Sequence, residues 1–147
     1  MLSFQGSGFA LQLPEDCSDA SAYTFVLPEN AGFAPNLTIR FENTEEKLHL
    51  SRYVEEQMAS LGNKLAGFTL ISQASGKRGA WDGVISICEW GEGPMRMRQK
   101  MVYLLVEGKS TRIYILTTTD LASHADKSTP IFDQILRSFN PNEIQFI

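Results

Sequence analysis

Between Phe68 and Thr119 the chain passes through four stretches of strand character separated only by short turn-forming segments, and this limits the fold more than any other feature. The stretches are Phe68 to Ala74, Trp81 to Trp90, Met95 to Glu107 and Thr111 to Thr119. Between them lie Gly76-Lys77-Arg78-Gly79, Gly91-Glu92-Gly93-Pro94 and Gly108-Lys109-Ser110. Glycine and proline clustered in this way mark turns. A parallel crossover needs about a dozen residues or more, so connections this short dictate an antiparallel meander.

The amino-terminal half reads as strands followed by a helix. Gly8 to Leu13 alternates Phe9, Leu11 and Leu13 on one side and is stopped by Pro14. Ala22 to Leu27, ended by Pro28, is a second strand, and Asn36 to Glu42 a third, with Leu37, Ile39 and Phe41 opposite Thr38 and Arg40. The period then changes: Leu50, Tyr53, Val54, Gln57, Met58, Leu61 and Leu65 recur at helical spacing, with Arg52, Glu55 and Glu56 on the solvent side. Asn43 or Thr44 is placed to cap this helix, and Gly62 or Gly67 lies near its end. After the meander, Thr129 followed by Pro130 makes a helix start, and Ile131, Phe132, Ile135, Leu136 and Phe139 supply its apolar stripe before Asn140-Pro141. The expected order is βββ-α-ββββ-α. That is a single α+β domain over residues 1–147, with two main helices on a mostly antiparallel sheet.

Composition removes several functional classes. The net charge of −4 provides no basic footprint for nucleic acid. The longest apolar run, Met101 to Val106, is six residues, far short of the ~20 that span a bilayer. Met1-Leu2-Ser3-Phe4-Gln5-Gly6 lacks the basic and apolar regions of a signal peptide, which points to the cytoplasm. Cys17 and Cys88 form no CxxC and read as two reduced thiols in or beside strands, although spacing leaves a disulfide between them open.

Catalytic constellations are missing from the sequence. His49 and His124, the only histidines, fall in polar stretches near helix starts and read as solvated surface residues. No HExxH, GxSxG, P-loop or GxGxxG occurs; Gly6-Ser7-Gly8 and Gly91-Glu92-Gly93 are short turns. Glu45-Glu46 and Glu55-Glu56 are adjacent on a helical segment and diverge. The expectation is no enzyme activity, no metal and no cofactor.

The informative stretch is Met95-Arg96-Met97-Arg98-Gln99-Lys100-Met101, in which Met95, Met97, Gln99 and Met101 share one strand face and the three cations the other. Methionine is flexible and polarizable, suited to surfaces that accept varied apolar partners, while a buried glutamine must be hydrogen-bonded. Gln57 repeats the pattern on the helix, among Tyr53, Val54, Met58 and Leu61. Two readings stay open: a stripe packed beneath a helix, or a groove left for a partner.

Seven segments, in order along almost the whole chain, resemble the Eag chaperones of type VI secretion, a family with the PsbP/DcrB-like fold. They are Thr24-Phe25-Val26-Leu27-Pro28, Asn36-Leu37-Thr38-Ile39-Arg40, Tyr53-Val54-Glu55-Glu56-Gln57, Leu65-Ala66-Gly67-Phe68, Met97-Arg98-Gln99, Leu116-Thr117-Thr118-Thr119-Asp120 and Ile135-Leu136-Arg137-Ser138-Phe139. The resemblance implies a cytoplasmic homodimer that shields the amino-terminal transmembrane segments of PAAR- or Rhs-type effectors before export. It implies a client groove formed by Ala22, Thr24, Val26, Thr38, Arg40, Gln57, Met58, Met97, Gln99 and Met101, with Gln57 and Gln99 matching the family's groove glutamines. The chain departs from the family pattern at Ala66, where proline is common, at Arg40, where a small hydroxyl residue is expected, and at Ala22 and Thr24, which are less bulky than expected. The alternative implied by the same fold is a non-enzymatic accessory protein that binds a folded partner or assembly.

Overall fold

A computed structural model of the chain describes residues 1–44, 48–108 and 110–141. The meander is present. Strands β5 (Thr69–Arg78), β6 (Trp81–Trp90), β7 (Met97–Val106) and β8 (Thr111–Leu121) are joined in succession, all antiparallel. Strands β5 and β8 run past their expected ends, β6 keeps its expected bounds and β7 is shorter than expected. Upstream lie β1 (Leu2–Gln5), β2 (Ala10–Leu13), β3 (Tyr23–Val26), β4 (Asn36–Thr44) and helix α1 (Leu50–Lys64); helix α2 (Ala125–Ser138) follows β8. Strand β4 joins the two halves by pairing along β8, from Asn36↔Thr119 to Thr44↔Thr111. The main sheet has six strands in the order β3-β4-β8-β7-β6-β5, and β1 and β2 form a separate hairpin.

Residues directly opposite one another in an antiparallel pair point to the same face, so the register sorts every side chain. One face carries Val84, Cys88, Met101, Tyr103, Leu105, Ile113 and Ile115, and α1 covers it with Leu50, Val54 and Met58. The other carries Leu37, Leu104, Val106, Tyr114 and Leu116, packed against Phe132 and Leu136 of α2. The domain therefore has three layers and two cores, with the sheet between the helices. Strands β7 and β8 serve both cores, which explains why Met101–Val106 is an unbroken apolar run rather than an alternating one. Among the described residues, no helix is long and apolar enough to cross a membrane.

Several boundaries differ from the sequence expectation for identifiable reasons. The order gains a strand, β1, which pairs with β2 from Leu2↔Leu13 to Gln5↔Ala10 around the Gly6–Gly8 turn. Asn43 and Thr44 extend β4 rather than cap α1, because Thr44 pairs with Thr111 and Asn43 accepts a hydrogen bond from Arg112. His49 and His124 are the residues at the two helix starts, neither making a side-chain cap bond. Gly76–Arg78 belong to β5, and that turn shrinks to Gly79-Ala80, with Gly79 at φ +61°. Met95 lies in a 3₁₀ turn (Gly93–Met95) before β7 begins, so it leaves the methionine stripe.

Helix α2 starts five residues before Pro130, which lies inside the helix. A buried tie holds this early start in place. Ser128 donates to Asp120 Oδ2 at 2.6 Å, while the Leu121 amide donates to Asp120 Oδ1 at 2.7 Å, and both side chains are almost fully enclosed. The missing amide of Pro130 deprives only the carbonyl of Asp126, an exposed first-turn residue, of its helical partner. Glu45-Glu46 and Lys109 lie outside the described residues.

Two tests follow from this architecture. Ser128→Ala leaves a carboxylate oxygen enclosed without its donor, and a hydrogen bond to a charged group is worth ~1.5–3 kcal/mol; urea unfolding should show a loss of that order with the midpoint lowered. The cysteines should also separate: both are free thiols, Cys17 exposed and Cys88 buried, with burial and then the nearby Glu89 pushing the Cys88 thiol up to about 11. An aromatic disulfide reagent at neutral pH should titrate Cys17 at once and Cys88 only after unfolding.

Candidate functional site

Helix α1 follows the end of β4 and lies over β5, β6 and β7. It leaves the same face of β8, β4 and β3 without a helix above it, because α2 packs on the opposite side. The register across this uncovered half aligns Val26, Asn36, Thr119 and Gln99 in one row. The next row is Thr24, Thr38, Thr117 and Met101, followed by Arg40, Ile115 and Tyr103. Strand β8 marks the edge of cover along its own length. Its face changes from Ile113 and Ile115, which are buried, to Thr117 and Thr119, which are half-buried.

The wall beside this floor is one flank of α1. Tyr53 leans from the helix across the sheet, its ring 6.1 Å from that of Tyr103 and its hydroxyl donating to Glu42 Oε2 at 2.6 Å. Gln57, one turn further along, is on the same flank and half-buried. Arg40 donates to the other oxygen of Glu42 at 2.7 Å. The Tyr53 bond, with help from Arg40 and against burial, holds the Glu42 carboxyl below the usual range. Burial, with the Glu42 acceptor second, raises the Tyr53 hydroxyl. The cation that Arg40 introduces is thereby answered within the site, and the floor beyond it is neutral.

That floor offers hydroxyls and amides in shallow relief. Thr24 and Thr38 share a hydrogen bond at 3.3 Å, and Gln99 donates to Thr119 Oγ1 at 3.1 Å. Such groups can bind a partner's polar atoms by exchanging weak mutual bonds, and their methyl and methylene parts accept apolar contact. No nucleophile and base are set together here. The His124 ring shares a hydrogen bond with the hydroxyl of its neighbour Ser123, His49 is exposed, and among the described residues no three His, Cys, Asp or Glu gather as a metal site.

The residues named from the sequence fall on this one face, but not all of them line its open part. Thr24, Val26, Thr38, Arg40, Gln57, Met97 and Gln99 are exposed or half-buried. Ala22 is exposed just before β3, outside the paired region. Met58 and Met101 are corrections: they are only 4% and 7% exposed, in the core beneath α1, where the Tyr103 hydroxyl donates to the Met101 sulfur. The methionine stripe thus divides, with its inner end under the helix and its outer end open. Sequence reasoning missed Tyr53 and Glu42 as a closing pair, and Asn36, Thr117 and Thr119 as floor. The change from isoleucine to threonine along alternate residues of β8 was the available signal.

The opposite face holds a cleft of about 560 Å³ beside α2, floored by Ala74, Ile85, Val102 and Leu104. Its charged groups are occupied with one another. Lys100 pairs with Asp133 at 2.9 Å, and Arg78 donates to the carbonyls of Leu136, Arg137 and Phe139, closing the end of α2.

Comparison with known proteins agrees with the architecture. No curated protein matches the sequence. Among solved structures, PA94 of Pseudomonas aeruginosa, a protein of unknown function, is 18% identical over 96% of both chains, with a TM-score of 0.75. LpqN of Mycobacterium tuberculosis, involved in cell envelope biogenesis, is 11% identical over 84% of this chain and 76% of its own, with a TM-score of 0.57. The PsbP protein of the cyanobacterium Synechocystis sp. PCC 6803 is 9% identical over 90% of this chain and 99% of its own, with a TM-score of 0.55. At these identities the likeness is one of fold, and that fold is the PsbP-like α+β arrangement derived above. The DcrB family model matches residues 9–138, nearly the whole domain, and the chain belongs to the DcrB family.

Proposed function

We propose that this protein is a non-enzymatic shield for apolar helices of a client, of the Eag kind: a bacterial cytoplasmic homodimer that holds the amino-terminal transmembrane segments of a type VI secretion effector before export. The observation that carries the reading is the uncovered half-face of the sheet, floored by Thr24, Thr38, Thr117, Thr119 and Asn36 and flanked by Gln57 and Gln99. A transmembrane helix awaiting export exposes ~20 apolar residues and would aggregate or insert wrongly. Helices of this type associate through small residues and through hydroxyl and amide hydrogen bonds rather than charge. A floor of threonine with two amides imitates such a neighbour. The flat, helix-free surface also leaves room for a cylinder about 10 Å across to lie beside α1. The likeness of seven sequence segments to the Eag chaperones supports the same reading.

Binding needs no turnover here. The helix would be held by burial of its apolar surface, with Gln57 and Gln99 turning from their present surroundings to meet its polar atoms. Tyr53 and the neutralised Glu42–Arg40 pair close one end of the floor.

Co-expression with the amino-terminal transmembrane region of an effector should give a soluble, co-purifying complex, whereas the segment alone should pellet. Recovery of no complex with any such segment would remove the proposal. Gln99→Ala and Gln57→Ala should each weaken the complex about tenfold, the effect of one lost hydrogen bond of ~1–1.5 kcal/mol, with the melting temperature nearly unchanged. If calorimetry instead finds the melting temperature as the main casualty, these amides hold the fold and not the client.

A further inference from the structure

The cleft beside α2 has an apolar floor that the described residues leave open. On this side of the sheet the register forms two neighbouring rows, Ala74–Ile85–Val102 and Gly76–Gly83–Leu104. Helix α2 walls them with Asp133, Leu136 and Arg137, which spacings of three and four residues put on one flank. Ile85 is 39% exposed although it lies in the middle of β6 and of the floor.

The glycine pair deepens this floor. Glycine inside a strand weakens it, and marks a bulge, a bend or a place where something approaches the backbone closely. The β5–β6 ladder runs regularly from Ser72↔Ile87 to Arg78↔Trp81, and neither Gly76 nor Gly83 takes a left-handed φ. A Cβ on Gly83 would meet Leu104 Cδ2 at 3.2 Å, so packing keeps that residue small. A Cβ on Gly76 would have nothing within 4 Å. Neither backbone conformation nor packing requires glycine there, and its absent side chain leaves a hollow.

Charge sits at the margins of the hollow. Lys100, one row beyond Val102, is matched by Asp133 at 2.9 Å. At the other margin Arg78 answers the carbonyls that end α2, which carry about half a negative charge. Arg137 is exposed, and its Nε donates to the Asp133 carbonyl, a neutral group. The lining therefore keeps an excess of roughly one and a half positive charges, in a chain whose net charge is −4. Among the described residues the lining has one hydroxyl, that of Ser75, and it turns to the α1 side to share a hydrogen bond with Ser51 at 3.1 Å.

We propose that this cleft binds an amphiphilic organic anion of the fatty-carboxylate class, its alkyl chain laid over the Gly76–Gly83 hollow and its carboxylate held by Arg137. An uncharged apolar ligand would make no use of the cationic margin, and a small inorganic anion would make none of the floor. The volume of about 560 Å³ falls within the ~300–1,000 Å³ of small-molecule sites, which are mostly apolar with a few placed polar groups. The site is on the reverse of the sheet from the threonine floor and is independent of the client.

Sodium decanoate, kept below its micelle concentration and titrated into the full chain, should bind saturably with one molecule per chain. Amide resonances of Gly76, Gly83 and Val102 should shift, while those of Thr38 and Thr117 stay in place. Decanoate should bind at least ~10-fold more tightly than decanol, and Arg137→Gln should abolish that preference. Gly76→Leu fills the hollow and should weaken decanoate at least ~10-fold, with the melting temperature unchanged or raised. Absence of saturable binding overturns the proposal. Shifts centred on Thr38 and Thr117 overturn it as well, since the anion would then occupy the client floor. Equal affinity for decanol, or a charge preference that survives Arg137→Gln, overturns the assigned ligand class even if Gly76→Leu fails to fold. Wild-type affinity in a folded Gly76→Leu chain overturns the assigned place.

Discussion

Six strands at ~4.8 Å spacing make a sheet about 24 Å wide, while a helix with its side chains is ~10–12 Å across. One helix per face therefore cannot cover the sheet. The chain supplies one for each side, with α1 over the β5–β6–β7 half and α2 against β8 on the reverse. The offset between them leaves the open floor beside α1 and the cleft beside α2, which the Lys100–Asp133 pair and Arg78 line. The central strands β7 and β8 must be apolar on both sides. On the uncovered side the outer strands β3 and β4 carry mainly threonine, asparagine and arginine, with Val26 the apolar exception.

The tie between Asp120 and Ser128 shows how the second layer is fixed. It joins the end of β8 to the first turns of α2, so the helix is positioned before its apolar stripe reaches Leu37, Tyr114 and Leu116. On the other face Tyr53 plays a comparable part, linking α1 to β4 through Glu42. Its hydroxyl marks the boundary between the sealed core and the exposed floor. Arg40, out of place in a comparison with the Eag family, is accommodated by that same carboxylate.

The methionine stripe illustrates what a single period can and cannot convey. Alternation correctly assigned Met97, Gln99 and Met101 to one face, and helical spacing assigned Gln57 and Met58 to neighbouring positions on α1. Neither pattern could reveal that the end of α1's cover falls between Met101 and Gln99, so that one is core and the other half-open. Pro130 misled in a similar way. Proline at a first helical position is a sound local signal, but the buried Ser128–Asp120 bond began α2 earlier and left proline inside it.

The antiparallel meander, the helix around Val54, the second helix around Phe132 and the lack of a catalytic motif were determined by sequence alone. They depend on local period and on connection length, which act within a few residues. Tertiary structure decided which face each helix covers, where that cover stops, and that the β1–β2 hairpin belongs to neither of the two cores formed by the described residues. Those outcomes depend on contacts between segments far apart in the chain, and a residue's own neighbours carry no record of what will lie above it.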